Sequence, residues 1–356
     1  MKTHFLIFLL LSSIFFSCED PEENSDIDPT QPETYVFEKT GLDGRIINEL
    51  QRQNDKWFAL TDDGLYENNN TASSSWSSLN LDGKEVIGFT ILDDGTYLTV
   101  WNNPQGTMPA SGISTSNNQG ASWQMLDNNF GGQNAERFSS FYALNNDSDV
   151  LYAGGLGVLA RSLDDGENWE PIWGDWGMLA NGTDEIAINP NDTDEIWFGG
   201  QGGIENGYLI KKIGDDIIRW DDLVENPTVV KKILFDPTDT DRVLVGFEGA
   251  LLGTQNSGNT WQTLIDSPEN RFFFGLASPS QNRDLIYAGG WLKRFDEPQS
   301  LVVFVSEDGG DSWENIEYET QDFGGITSMQ LVEGESQDVL YLGLYKGGVY
   351  KLTINK

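Results

Sequence analysis

Short apolar runs, each bounded by glycine or polar turn residues, recur along this chain, and no stretch carries a sustained apolar stripe of helical period. Seven runs are alike, at 56–60, 96–100, 150–153, 196–198, 243–245, 285–288 and 339–342. They are rich in β-branched and aromatic residues, and Gly154, Gly199, Gly246 and Gly289 follow four of them directly. Runs of this length and composition, punctuated in this way, predict β-strands. The even spacing predicts one structural unit repeated seven times rather than a set of unrelated hairpins.

A second pattern recurs independently of the first. It places a hydroxyl residue, then Asp or Asn two positions on, Gly four on and Trp seven on. Its copies are Ser116, Asn118, Gly120, Trp123; Ser162, Asp164, Gly166, Trp169; Thr254, Asn256, Gly258, Trp261; and Ser306, Asp308, Gly310, Trp313. Their starts lie 46, 92 and 52 residues apart, a period near 46 with one copy skipped. Weakened copies stand at 213–220, which keeps Asp215 and Trp220, and at 69–76, which keeps Trp76. Each segment lies between two apolar stretches and predicts a hairpin turn. The Asp or Asn accepts backbone hydrogen bonds, Gly supplies a positive φ, and the Trp opens the next strand and packs over the turn.

The motif resembles the Asp-box, or BNR, repeat of sialidase-, sortilin- and xyloglucanase-like β-propellers, and the resemblance covers most of the chain after residue 34. It implies a fold far more than an activity, because the box stabilises a turn and one fold hosts many chemistries. The expected architecture is all-β: a single seven-bladed β-propeller of four-stranded antiparallel blades over residues 34–356. The last blade is one strand short. The segment 34–38 is predicted to supply its outer strand and close the ring, which removes an open sheet edge.

Residues 1–17 read as a targeting segment, with Lys2 ahead of an apolar run over 5–16. Ser17 precedes Cys18, the only cysteine. This resembles a bacterial lipoprotein signal, which implies cleavage before Cys18 and its lipidation; an ordinary secretory signal is the alternative. Residues 18–33 are acidic and Pro-rich and predict a disordered tether. The expected location is the outer membrane of a Gram-negative bacterium, periplasmic or surface-exposed, held through the lipid on Cys18.

The formal net charge of −36 repels phosphate backbones and excludes nucleic acid as a partner. The only histidine is His4, within the targeting segment. The processed chain therefore offers neither a Ser-His-Asp or Cys-His nucleophile nor a His/Cys zinc site, and carboxylate, Tyr and Lys chemistry remains. No cofactor and no metal are expected. The acidic turns at 189–194 and 236–241 carry hard oxygen donors that would suit calcium, but Asx and Pro turn chemistry explains them as well. Asp164 and Asp308 read as turn formers rather than catalysts.

If the boxes join the third and fourth strands of each blade, they lie on one face. The longer second-to-third and fourth-to-first loops then share the other. Eight of the twelve tryptophans fall in repeat elements; Trp101, Trp173, Trp176 and Trp291 fall in those loops. Aromatic faces beside carboxylates and amides suit sugars, so these four are candidates to rim a glycan or protein site over the channel, with packing between blades as the alternative. Arg137, Arg271 and Arg294 are candidates to grip a ligand carboxylate. Three functions follow: a monomeric, lipid-anchored binding module; a glycoside hydrolase using paired carboxylates, for which Asp175 with Asp296 or Glu205 is the pair to test; and a scaffold or assembly factor for a membrane complex.

Overall fold

A computed structural model of the protein describes residues 34–69, 75–127, 140–148, 150–174, 182–202, 207–224, 228–267, 269–320 and 322–356. Among these, every regular element is a β-strand, and the strands fall into seven four-stranded antiparallel sheets. Six blades are consecutive in the chain, over 47–78, 85–125, 141–174, 185–220, 230–266 and 272–318. The seventh, over 326–355, takes its outer strand from Tyr35–Gly41, which pairs with Gly348–Asn355 in the register Val36 to Thr353 and Phe37 to Leu352. The ring is thus closed by the N-terminal strand, as the strand count predicts. Residues 34–356 pack as one unit.

The core is not one mass but seven seams between neighbouring blades. Phe58 and Leu60 of blade 1 pack with Val86, Phe89 and Tyr97 of blade 2. Equivalent clusters fill each seam around to the last, where Ile47, Leu50 and Trp57 of blade 1 meet Val339, Tyr341 and Val349 of blade 7. Trp57 lies 4.1 Å from Tyr341 across this closing seam. Each sheet is apolar on both faces because each lies between two others, so the second strands read as continuous apolar runs rather than alternating ones.

The seven runs prominent in the sequence are these second strands, not the innermost ones. The innermost strands are Ile47–Gln53, Glu85–Ile91, Phe141–Asp147, Glu185–Ile188, Val230–Phe235, Phe272–Ala277 and Ile326–Val332. Six carry a register shift in their first turn of pairing, as between Ile47 and Glu49 or Val230 and Lys232. A bulge at this point turns one extra side chain out of the ladder. The positions concerned, such as Asn48, Tyr142, Lys231 and Thr327, face the central channel.

The four full turn motifs share one hydrogen-bond scheme. The Gly N–H donates to the hydroxyl four residues before it: Gly120 to Ser116 at 2.9 Å, Gly166 to Ser162 at 3.0 Å, Gly258 to Thr254 at 2.9 Å and Gly310 to Ser306 at 2.8 Å. The Asx Oδ1 accepts the N–H four residues on, as Asp308 does from Ser312 at 2.8 Å. The glycines have φ between 81° and 106°, where a Cβ is strained. Hydrogen bonds from Ser312 hold the Asp308 carboxyl down at about 2. The weakened copy at 213–220 differs: Ile213 pairs directly with Asp216, leaving a two-residue hairpin turn, and Trp220 ends the strand instead of opening it. Its ring still stacks on Trp197 at 5.3 Å and lies against Gly258 of the next blade.

Candidate functional site

All four full turns join third to fourth strands and lie on one face. On the other face the central channel opens into a cavity of about 1000 Å³, walled by the innermost strands and by loops that follow the second strands. Two contrasting walls meet there.

The first wall is aromatic and comes from blades 6 and 7. Trp291, the last residue of the second strand of blade 6, stacks on Tyr345 with ring centres 4.3 Å apart. Phe295 packs edge-on to both, at 5.1 Å from Trp291 and 5.7 Å from Tyr345. Trp291 is buried, whereas Phe295 is 50% exposed on the rim. The loop is held from below: Lys346 donates to the Phe295 carbonyl at 2.8 Å and lies 5.1 Å from the Tyr345 ring centre. Gly325 lets its backbone lie flat on Trp291, since a Cβ there would sit 2.1 Å from the indole.

The second wall is charged and comes from blades 4 and 5, with Glu49 of blade 1 across the channel. Lys232 pairs with Glu185 at 2.8 Å. Lys231 lies 3.2 Å from Glu248 and 3.8 Å from Asp184, and Lys293 lies 3.4 Å from Glu248. Burial among protein walls pushes the Glu49 carboxyl up to about 7; Lys232 pulls it down, Glu185 adds to the rise, and Gln51 donates to it at 3.0 Å. Burial likewise pushes Asp184 up to about 6 against the pull of Lys231. Glu85, with Asn102 as its hydrogen-bond partner, is raised by burial too. Burial opposes the Lys232 ammonium, but Glu185 and Glu49 outweigh it and its pKa is raised. Phe274 joins the two walls, 5.6 Å from Lys231 Nζ and 6.3 Å from the Trp291 ring.

The sequence candidates are distributed differently from expectation. Trp101 is not in a loop: it lies within the second strand of blade 2, one residue before its end, is buried, donates to Ser114 Oγ at 3.0 Å, and is covered by Lys84 at 4.1 Å. Trp173 belongs to the outer strand of blade 3 and stacks on Tyr208 at 5.2 Å, in the seam to blade 4. Trp291 also stands in a strand, and of these three it alone lines the cavity. Arg271 is buried beside Glu269 and Phe304, away from the cavity lining, and Arg294 is exposed. Asp296 is exposed on the rim, 3.8 Å from Lys346. Arg137, Asp175, Trp176, Glu205 and Cys18 lie outside the described residues.

The acidic turns are occupied by the protein itself. Arg242 at 3.2 Å and Arg283 at 3.3 Å both pair with Asp236, while Asn189 donates to Glu195 at 3.0 Å. Among the described residues no group of three His, Cys, Asp or Glu is placed to hold a metal. The channel acids were missed in the sequence. Their signal is the doublets Asp184-Glu185 and Lys231-Lys232, each shortly ahead of an apolar second strand.

No family model and no curated protein matches this chain. Solved structures share its fold. A GH74 xyloglucanase from Xanthomonas campestris superposes with a TM-score of 0.64 at 15% identity, covering 89% of this chain and 53% of that one. The extracellular domain of BT4673, a putative one component system from B. thetaiotaomicron, gives 0.61 at 15% identity over 86% of this chain and 38% of its own. YCF48 from Cyanidioschyzon merolae gives 0.62 at 10% identity over 91% and 99%. A second YCF48 structure, bound to D1 peptide, gives 0.60 at 12% identity over 92% and 98%. This chain therefore spans about half the length of the xyloglucanase and less of BT4673. These neighbours are seven-bladed β-propellers, and at such identities the likeness is one of fold.

Proposed function

We propose that this chain is an extracytoplasmic, lipid-anchored binding propeller of the Asp-box type, whose site is the loop-face mouth of the central channel and whose ligand is a segment of a protein partner. One observation carries the reading: a cavity of about 1000 Å³ with a half-exposed Phe295 on a stacked aromatic wall facing a charged one. Pockets that combine apolar area with a few fixed polar groups are suited to ligands. A propeller of nearly the same extent, YCF48, is bound to a peptide, which supports a protein ligand over a glycan. The anchor rests on Cys18 and the apolar segment before it.

The test is retention on peptide and polysaccharide arrays. Removing an anchor side chain from the centre of an interface costs about tenfold or more in affinity. Phe295→Ala is expected to do so at an unchanged melting temperature, while Leu163→Ser, which removes a still more exposed apolar side chain from the turn face, has no effect. Equal retention by both variants would refute the site.

One observation favours a second reading, a glycoside hydrolase. Glu49 holds its proton up to about 7 across the channel from Glu185, which is ion-paired to Lys232. A protonated acid opposite a carboxylate is the pairing that glycoside hydrolysis needs. This pair is tested beside Asp175 with Asp296 or Glu205. On this reading the wild type releases reducing sugar from some glycan and Glu49→Gln abolishes the release; no turnover across a broad glycan panel ends it.

A further inference from the structure

The cavity also constrains what its guest must carry. Its lysines are already satisfied: Lys232 by Glu185 at 2.8 Å, and Lys231 by Glu248 at 3.2 Å. Glu49 and Glu85 have no ion-pair partner among the described residues, and Asp184 has only a share of Lys231 at 3.8 Å. Arg52, also in the lining, pairs with Asp55 at 3.1 Å, so the walls carry the carboxyls of Glu49, Glu85, Asp184 and Glu185 against the cations of Arg52, Lys231 and Lys232, inside a molecule of net charge −36. The aromatic wall is a second and separate feature. Its rings offer π-faces that attract cations. Trp291 is 6% exposed at the cavity wall and Phe295 is 50% exposed on its rim. Each feature is half of a receptor for a lysine or arginine on a peptide: the carboxyls take the charged head and the rings take the stem.

We infer that the partner segment inserts a basic side chain into the channel mouth, its charge received between Glu49 and Asp184 and its stem laid along Trp291 and Phe295. The inference rests on the mouth being the ligand site and deepens it by naming the guest's chemistry. Entry of a cation favours the ionised acids, so both carboxyls titrate lower in the complex and protons are released. Around Glu49 the charged groups are Lys232 and Glu185; around Asp184 they are Lys231, Glu248 and Lys293.

The probe is hexalysine, with its Nε-acetylated form as the uncharged counterpart. Four proteins are titrated: wild type, Glu49→Gln/Asp184→Asn, the turn-face control Glu307→Gln/Asp311→Asn with the same change in formal charge, and Phe295→Ala. Losing the charge partners of a desolvated ammonium weakens binding about tenfold or more. That loss is expected for the channel pair, a much smaller one for the control, and no binding for the acetylated peptide. Equal loss for the two double variants, or equal binding of the acetylated peptide, overturns the inference. If Phe295→Ala weakens binding and the channel pair does not, the mouth stands as the site and the basic guest falls. If neither weakens it, both fall. A measurement on the wild type alone guards against misfolded variants: calorimetry at pH 6 in buffers of different ionisation enthalpy is expected to show proton release, and none would also overturn the inference.

Discussion

A single hydroxyl organises each full turn. Ser162 is 1% exposed, and its Oγ takes the N–H of the buried Gly166 at 3.0 Å. A buried donor left without its acceptor costs about 1–3 kcal/mol, so Ser162→Ala should lower unfolding stability by that amount in a denaturant titration, whereas the exposed Leu163→Ser nearby should not. Glu49 makes an opposite kind of prediction. Its carboxyl titrates at about 7 in the folded chain against an ordinary value of 4.5. The folded state binds the proton more tightly, so this group's contribution is full below 4.5 and is lost as pH rises through 7. Glu49→Gln should flatten the stability profile over that window; an unchanged slope would mean that the acid is solvated. The turn residues were legible in the sequence because their chemistry is local: hydroxyl, Asx, Gly and Trp act within eight positions. Glu49, Asp184 and Lys232 were not, because they meet only when blades far apart in the chain come round the ring. Trp101 and Trp173 misled for the same reason, since their packing partners across strands and seams are invisible to a loop assignment.

Each blade has an apolar second strand and a polar inner one, and this difference decided what the sequence revealed. The second strands lie inside the seams and show as apolar runs. The inner strands line the channel with Asn48, Gln51, Asn145 and Gln330, and their residues resemble loop composition. The bulges that turn their first residues into the mouth leave no clear mark in the sequence. The closing strand was legible because the count of strands left one blade incomplete. Its removal tests that closure. Deleting residues 34–41 frees the edge of Gly348–Asn355 and strips Phe37 from its stack on Tyr318 at 4.7 Å. An unpaired strand edge templates association. The truncated protein should melt at a lower temperature and show concentration-dependent aggregation in light scattering; a monomer of undiminished stability would show that the seventh blade closes without it.

The whole molecule is a ring with two unlike faces. One face carries the regular turns, whose composition serves geometry. The other carries the loops, the channel mouth and the contrast of aromatic and charged walls. The account's central claim is that a partner engages that second face. Site-specific photo-crosslinking in the cells that make the protein tests it most directly, with the reactive group placed at 295 on the mouth in one strain and at 311 on the turn face in another. The account predicts a discrete protein adduct from 295 and none from 311. An adduct from 311 with none from 295 would contradict it.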